Sequence, residues 1–227
     1  MTLKDTIITL RETVLDTIAN AQNSHALNMA DATNGASIEC ELTSELRERL
    51  QEILKTAYHE DDGSVDYAAL RASASYADYR TCAAQLNGFS PASISGNERI
   101  VFWINLYNAL VLDAVITLNV QHSVTEQWAG FKFFRQAAYI VGGKRMSCDD
   151  IEHGILRGNR GHPFLPGSQF RQTPRDPRRA WVIESPDPRI HFALNCASRS
   201  CPPIRVYEAE TLEAQLELAA NHFIALE

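Results

Sequence analysis

The sequence predicts an α+β fold in which N-terminal helices and a buried central helix pack against a small, mainly antiparallel sheet formed late in the chain. Three observations carry this. Apolar residues recur at steps of three and four through the first half. Residues 100–118 are apolar on nearly every side. Strand signals gather only after residue 138, without the strand–helix alternation that a parallel sheet needs.

In chain order, residues 1–20 read as a helical appendage, because Leu3, Ile7, Leu10, Val14 and Ile18 form one stripe suited to docking on something else. Residues 21–41 are polar and small around Gly35 and read as a linker, with residues 42–227 as a single domain. Ser44 is expected to open a helix whose Leu46, Leu50, Ile53, Leu54 and Ala57 share a face, ended by a turn over 59–64. A third helix is expected from Asp66 to about Leu86, with Asn87-Gly88 as its stop.

Ser95 and Glu98 have capping-box spacing ahead of the apolar segment. That segment nearly has the length of a membrane span. Asn105, Asn108 and Asp113 would be costly in hydrocarbon, so a core helix is the better reading. Gly142-Gly143 favours a hairpin, since glycine accepts the positive φ of a type I′ turn. Further strands are expected at 180–183 and 190–195. Residues 158–179 hold Pro163, Pro166, Pro174 and Pro177, which forbid long regular structure; such a loop covers a site or forms an arginine-rich surface. A last helix over 211–224 turns Leu212, Leu216, Ala220 and Phe223 inward.

Composition narrows the function classes. Hydrophobic residues are 45% and charged residues 22% of the 227, which is ordinary globular usage. Lys plus Arg number 21 against 28 for Asp plus Glu, a net charge of -7, and no basic run could neutralise a phosphate backbone; nucleic acid is not an expected partner. Five cysteines are too few for a disulfide scaffold and fit a reducing compartment. Charges at Lys4, Asp5, Arg11, Glu12 and Asp16 interrupt any secretory apolar core, so a cytoplasmic location is expected. No HExxH, Walker A or GxGxxG pattern occurs, and no cofactor is expected.

The densest chemistry lies in DPRIHFALNCASRSCPP, residues 187–203. On a regular strand Ile190, Phe192 and Leu194 would face one side and His191, Ala193 and Asn195 the other, with Cys196 continuing the apolar side as a small hydrophobe. Cys201 lies past a loop that can turn back to His191. A thiol becomes a nucleophile when a base or positive environment lowers its pKa, which His191, Arg189 and Arg199 can supply. Asn195 or Asp187 would orient the imidazole; a structural, hydrogen-bonded histidine is the plainer alternative.

A second cluster, SCDDIEHGILRG, has Ser147 and Asp150 at capping-box spacing and reads as a short helix. On it Asp149, His153 and Arg157 share a face as a solvated ion-pair ladder, and Glu152-His153 stands as an alternative acid–base pair. Asn105 and Asn108, three apart on the buried helix, either satisfy loop backbone or present amides to a ligand, with Tyr107 and Trp103 as aromatic walls. A Cys3His zinc set drawn from Cys148, His153, Cys196 and Cys201 is the competing use of the same residues.

Four runs in order, VDYAALRAS, ERIVFWINLYNALVLDAV, MSCDDIEHGILR and DPRIHFALNCASRSCPP, make residues from about Val65 to Ile224 resemble the DUF547 family of uncharacterised proteins. The resemblance implies a domain that stands alone in bacteria and carries extra segments in eukaryotes. It draws attention to Asn105, Tyr107, Asn108, Glu152, His153, Arg157, His191, Cys196, Cys201 and Pro202. It supplies no reaction.

From the residues, the expected function is a thiol-dependent hydrolase or transferase acting on an amide or ester of a small-molecule or peptide-like substrate. Cys201 is the nucleophile, with Cys196 as its substitute, and His191 or His153 the base, oriented by Asn195, Asp187 or Glu152. Asn105, Asn108, Tyr107, Asn195, Arg157 and Arg189 would line the substrate site, and loop amides at 196–201 or a helix asparagine would hold an oxyanion. The rival is a non-catalytic binding or scaffold module that associates with a partner or a second copy through residues 3–18.

Overall fold

The computed structural model describes residues 3–21, 26–29, 39–59, 61–126, 130–171, 176–198, 201 and 203–226. Among them run α1 (Leu3–Ala19), α2 (Glu39–Ala57), α3 (Tyr67–Ala72), α4 (Ala74–Ala84), α5 (Gly96–Thr117), α6 (Phe131–Gln136) and α7 (Leu212–Leu226). Strands β1 (Tyr58–His59) and β2 (Ser64–Val65) form one short hairpin, and β3 (Ala138–Val141) and β4 (Lys144–Ser147) another. The class is α+β, with a small antiparallel sheet late in the chain.

The apolar segment becomes α5, and every residue from 101 to 116 is buried. Its composition would allow it to cross a membrane, but 89% of its most apolar window is covered by the rest of the chain. Ser95 occupies the N-cap as its spacing predicts, yet its side chain makes no capping hydrogen bond. The hairpin also forms as expected: Gly142 and Gly143 take φ of 54° and 70°, and Ala138 pairs with Ser147 through Val141 with Lys144.

Other boundaries differ for local reasons. The helix expected over 66–86 is broken at Ser73, whose N–H closes α3 on the Leu70 carbonyl while its hydroxyl accepts from Tyr76 N–H to open α4. Helix α2 starts at Glu39, ahead of Ser44. Within the expected linker, Leu27 N–H bonds to Ala138 O and the buried Asn28 amide joins Ala83 O and Ile140 O; residues 22–25 and 30–38 lie outside the described ones.

The strands expected at 180–183 and 190–195 are absent. Pro177–Trp181 and Pro188–Ala193 are 3-10 turns. Each begins with Asp-Pro-Arg: Asp176 and Asp187 accept the N–H two residues on, and Arg178 and Arg189 bind the same carboxylates. Proline at the first helical position then fixes φ in the helical range, and the local cap outcompetes extension.

Inside the core, one carboxylate gathers several polar groups around it. Asp113, 1% exposed, accepts from Tyr76, Arg80 and Thr117 on one oxygen and from Tyr139 on the other, at 2.6 to 3.0 Å. At the other end, α1 is held by charge rather than by its apolar stripe. Arg135 of α6 is buried and binds Glu12 at 2.6 Å and Asp16 at 2.7 Å, while Arg11 grips the carbonyls of Pro166 and Ser168. Leu3, Ile7, Leu10, Val14 and Ile18 stay exposed. Arg135→Ala is therefore expected to release α1 by stranding two carboxylates. Limited proteolysis should then cut within residues 1–20 at least several-fold faster; an unchanged cleavage rate would show that Ile8 and Arg11 suffice.

Candidate functional site

The site is built on two asparagines at one edge of α5. Asn108, fully buried, donates its amide to Ala193 O at 3.0 Å and accepts from Asn195 N–H at 2.9 Å. Asn105 does the same to Tyr207, with bonds of 2.8 and 2.9 Å. Each side chain acts as a short strand edge, giving an irregular segment the two bonds it would have had in a sheet. Both amides thereby serve backbone, and Asn105 borders a separate groove against α2 that holds no cysteine.

The Asn108 clamp fixes the run that carries the sulfurs. Asn195 Oδ1 accepts from Ala197 N–H at 2.8 Å, and Ala197 takes a φ of 58°, so the chain turns sharply after Cys196. That turn brings Cys201 back until its Sγ accepts from Cys196 N–H at 3.2 Å. Strand parity therefore does not sort these residues, and the demotion of Cys196 to the apolar side falls with the strand. Arg199, Ser200 and Pro202 lie outside the described residues.

Cys196 and Cys201 line one open cleft of about 580 Å³ together with Tyr107, Glu152, His191, Phe192, Leu194 and Phe223. Phe192 and Phe223 stack at 4.9 Å, so the 3-10 turn and α7 jointly make one wall. Glu152, His191 and Leu194 also border an adjoining groove of about 840 Å³ that continues past Arg157, Arg160 and Asp187.

Glu152 comes from the second cluster. The Ser147–Asp150 capping box forms in both directions, with Ser147 N–H and Oγ on Asp150 Oδ2 and Asp150 N–H on Ser147 Oγ. The box opens a π-helix, Asp150–Leu156, whose wider turn is closed by Arg157 N–H on Glu152 O at 2.9 Å. The end of the Phe170 ring meets Gly154, where a Cβ would sit 2.2 Å from Cζ, so the proline-rich loop packs directly on this helix. Glu152 faces the cleft, with Tyr107 Oη donating at 3.4 Å and Arg157 at 3.4 Å.

The electrostatics separate the two sulfurs. The Cys196 thiol and the backbone amides of Cys196 and Ser198 donate to Cys201, outweighing burial and bringing its thiol down to about 6. Cys196 is pushed up, by giving its proton to that bond and by burial. Burial also raises Glu152, against the opposing pull of Arg157 and then His191.

Several expected residues lie elsewhere. His153 does not line the cleft. It is buried beside Asp149, its ring edge-on to the half-buried His162 at 4.9 Å, and burial depresses it to about 3. The ion-pair ladder is not solvated: Asp149 is buried and raised to about 8 by desolvation. Arg189 binds Asp187, Glu213 and Glu217 at the surface, leaving Asp187 committed to it. Trp103 is sealed in the core against Phe102 and Trp181. Cys148 is likewise buried, and no Cys3His set forms among the described residues. No sequence spacing joins His162 to Asp149 and His153; a histidine within the proline-rich loop was the available signal.

The profile of a protein family described as "Protein of unknown function, DUF547" matches residues 91–224, more than half of the chain. The chain belongs to the DUF547 family. The matched span contains α5, the π-helix, both 3-10 turns and the sulfur loop, so the DUF547 segment includes every residue of the cleft. Neither a curated protein nor a solved structure matches the chain. DUF547 membership thus names no reaction, and the chemistry rests on the residues themselves.

Proposed function

We propose that this DUF547 protein is a thiol-dependent hydrolase or transferase that acts on an amide or ester of a small-molecule or peptide-like substrate. One observation carries the reading: Cys201, its sulfur fed by the Cys196 N–H, shares an open cleft with His191 and Glu152. The Cys201 thiolate attacks the carbonyl carbon, forming a C–S bond and moving the carbonyl electron pair onto oxygen. Collapse expels the amine or alcohol, which takes a proton from His191. Water, or an acceptor nucleophile, then gives its proton to His191, attacks the thioester and returns the thiolate.

Glu152 supports the imidazolium, which carries the Cys201 proton before the attack and is re-formed when water or the acceptor gives up its own. Tyr107 Oη, whose hydrogen bond among the described residues is a long one of 3.4 Å to Glu152, is the donor for the oxyanion. The helix asparagines do not line the cleft, and Cys196 and Ala197 N–H already donate to Cys201 Sγ and Asn195 Oδ1. Free thiols at Cys82, Cys148, Cys196 and Cys201 accord with a reducing, cytoplasmic setting. A scaffold reading draws on the exposed stripe of α1 instead.

Site-resolved alkylation across pH 5 to 9 separates the readings. A thiol at about 6 is a thiolate above that pH, so Cys201 labelling should rise through pH 6 while Cys196 stays slow. Near pH 6 the gain over an ordinary thiol of about 8.5 is about tenfold, since lower nucleophilicity offsets much of the greater ionisation. Acylation by an activated ester should add mass at Cys201, vanish in Cys201→Ala and slow at least about tenfold in His191→Ala. A Cys201 that stays unlabelled until the protein unfolds removes the proposal and leaves the scaffold reading.

A further inference from the structure

Next to Glu152 on the π-helix, the geometry points to a second site, in which Asp149, His153 and His162 bind a divalent first-row transition-metal ion, best matched by Zn²⁺. One ligand atom from each lies within 4.8 Å of the others. Two imidazoles and a carboxylate form a donor set that suits zinc, with the fourth position left to water. Ligand atoms around tetrahedral zinc stand roughly 3.3–3.5 Å apart, so the cluster must contract by up to about 1.5 Å. His162, half-buried on the loop that follows the π-helix, is the member free to supply that movement.

The buried members indicate a ligand independently of their proximity. Asp149 and His153 are each 6% exposed, and Asp149 Oδ2 and His153 Nδ1 have no hydrogen-bond partner. Buried polar atoms are nearly always satisfied. Here two members of one three-residue cluster each keep an unsatisfied buried atom, and the nearest acid to His153 Nδ1, Glu152 Oε1 at 4.0 Å, is too far for a hydrogen bond; a cation bound by the cluster would answer both.

Local charge permits it. The Arg135 guanidinium lies 3.9 Å from Asp149 Oδ2, but its charge is already met by Glu12 at 2.6 Å and Asp16 at 2.7 Å. Arg11 and Arg157, which also act on His162, are paired with Glu12 and Glu152. Nδ1 of His162 accepts Phe164 N–H at 3.2 Å; coordination through Nδ1 takes over that lone pair and leaves this exposed N–H to water. The bound ion would fasten the loop at His162 to the π-helix one residue from Glu152.

The test uses the full chain, stripped with chelator and titrated with Zn²⁺ by calorimetry and with Co²⁺ by absorbance. One ion per chain is expected, with the visible bands of a tetrahedral nitrogen–oxygen site and no thiolate charge-transfer band. His162→Ala should weaken binding about a hundredfold or more with circular dichroism unchanged. Should that variant misfold, His162→Gln, which keeps a side chain of similar reach, replaces it. Cys196→Ala and Cys201→Ala should bind as the parent does. The site is overturned by absence of saturable binding, by unchanged affinity in the folded His162 variant, or by a thiolate band that disappears with the cysteines.

Discussion

Asp113→Ala is expected to lower the unfolding free energy by about 3–5 kcal/mol, the cost of removing one partner from a buried charged network. The loss is large against a whole-domain stability of about 5–15 kcal/mol. Two phenols, the Thr117 hydroxyl and the Arg80 guanidinium all aim at this one carboxylate. Alanine leaves them without their acceptor; Tyr139 keeps only Tyr79, at 3.0 Å, and Tyr76 only a 3.4 Å approach to Thr117. Asp113→Asn keeps the shape but removes the charge and turns an amide N–H₂ toward donors, so it should recover only part of the loss. Urea unfolding with an unchanged m-value measures both. A loss under about 1 kcal/mol in alanine would mean that water or repacking replaces the acceptor.

The second large effect joins stability to chemistry. Asn108→Ala strips the bonds from Ala193 O and Asn195 N–H and is expected to cost about 2–4 kcal/mol, at about 1–3 kcal/mol for each buried group left unpaired. Cys196, the next residue, gives its N–H to Cys201. Once the clamp is gone, the labelling midpoint of Cys201 should move from about 6 up toward that of an ordinary thiol. Asn105→Ala is the control. It loses an equivalent pair of bonds at Tyr207, so it should cost similar stability and leave the midpoint in place. Equal midpoints in both variants would reduce Asn108 to a structural residue.

What could be read from the sequence was whatever local chemistry decides. The Gly142-Gly143 turn, the Ser147–Asp150 box and the start of α3 at Asp66 each depend on residues a few positions apart, and each forms as expected. The two strands failed on equally local grounds: Asp176-Pro177-Arg178 and Asp187-Pro188-Arg189 are cap, first helical residue and chelating cation, a signal present in the residues but outweighed by the apolar ones after it. Other features were not legible because they join distant segments. Arg135 meets Glu12 across 123 positions, and Asn105 meets Tyr207 across 102. In the site, residue types were informative and partners were not: Glu152 and His153 are neighbours in sequence, yet one borders the sulfur cleft and the other faces His162.

The long span of the asparagine clamps has a consequence for the order in which the protein is made. Helix α5 is complete once residue 117 has been added, but the backbone that covers its Asn105 and Asn108 edge arrives only with residues 193–207. A ribosome adding about 5–20 residues per second needs roughly 4–18 s for that interval. Throughout it, a helix apolar enough to enter a bilayer stands with its polar edge uncovered. The nascent chain is therefore most exposed to aggregation, and most dependent on chaperones, after its core helix is made and before its sulfur loop is. Slowing translation between codons 118 and 193 should lengthen that window, and the damage would register as lost yield of folded protein with no change in the stability of what survives.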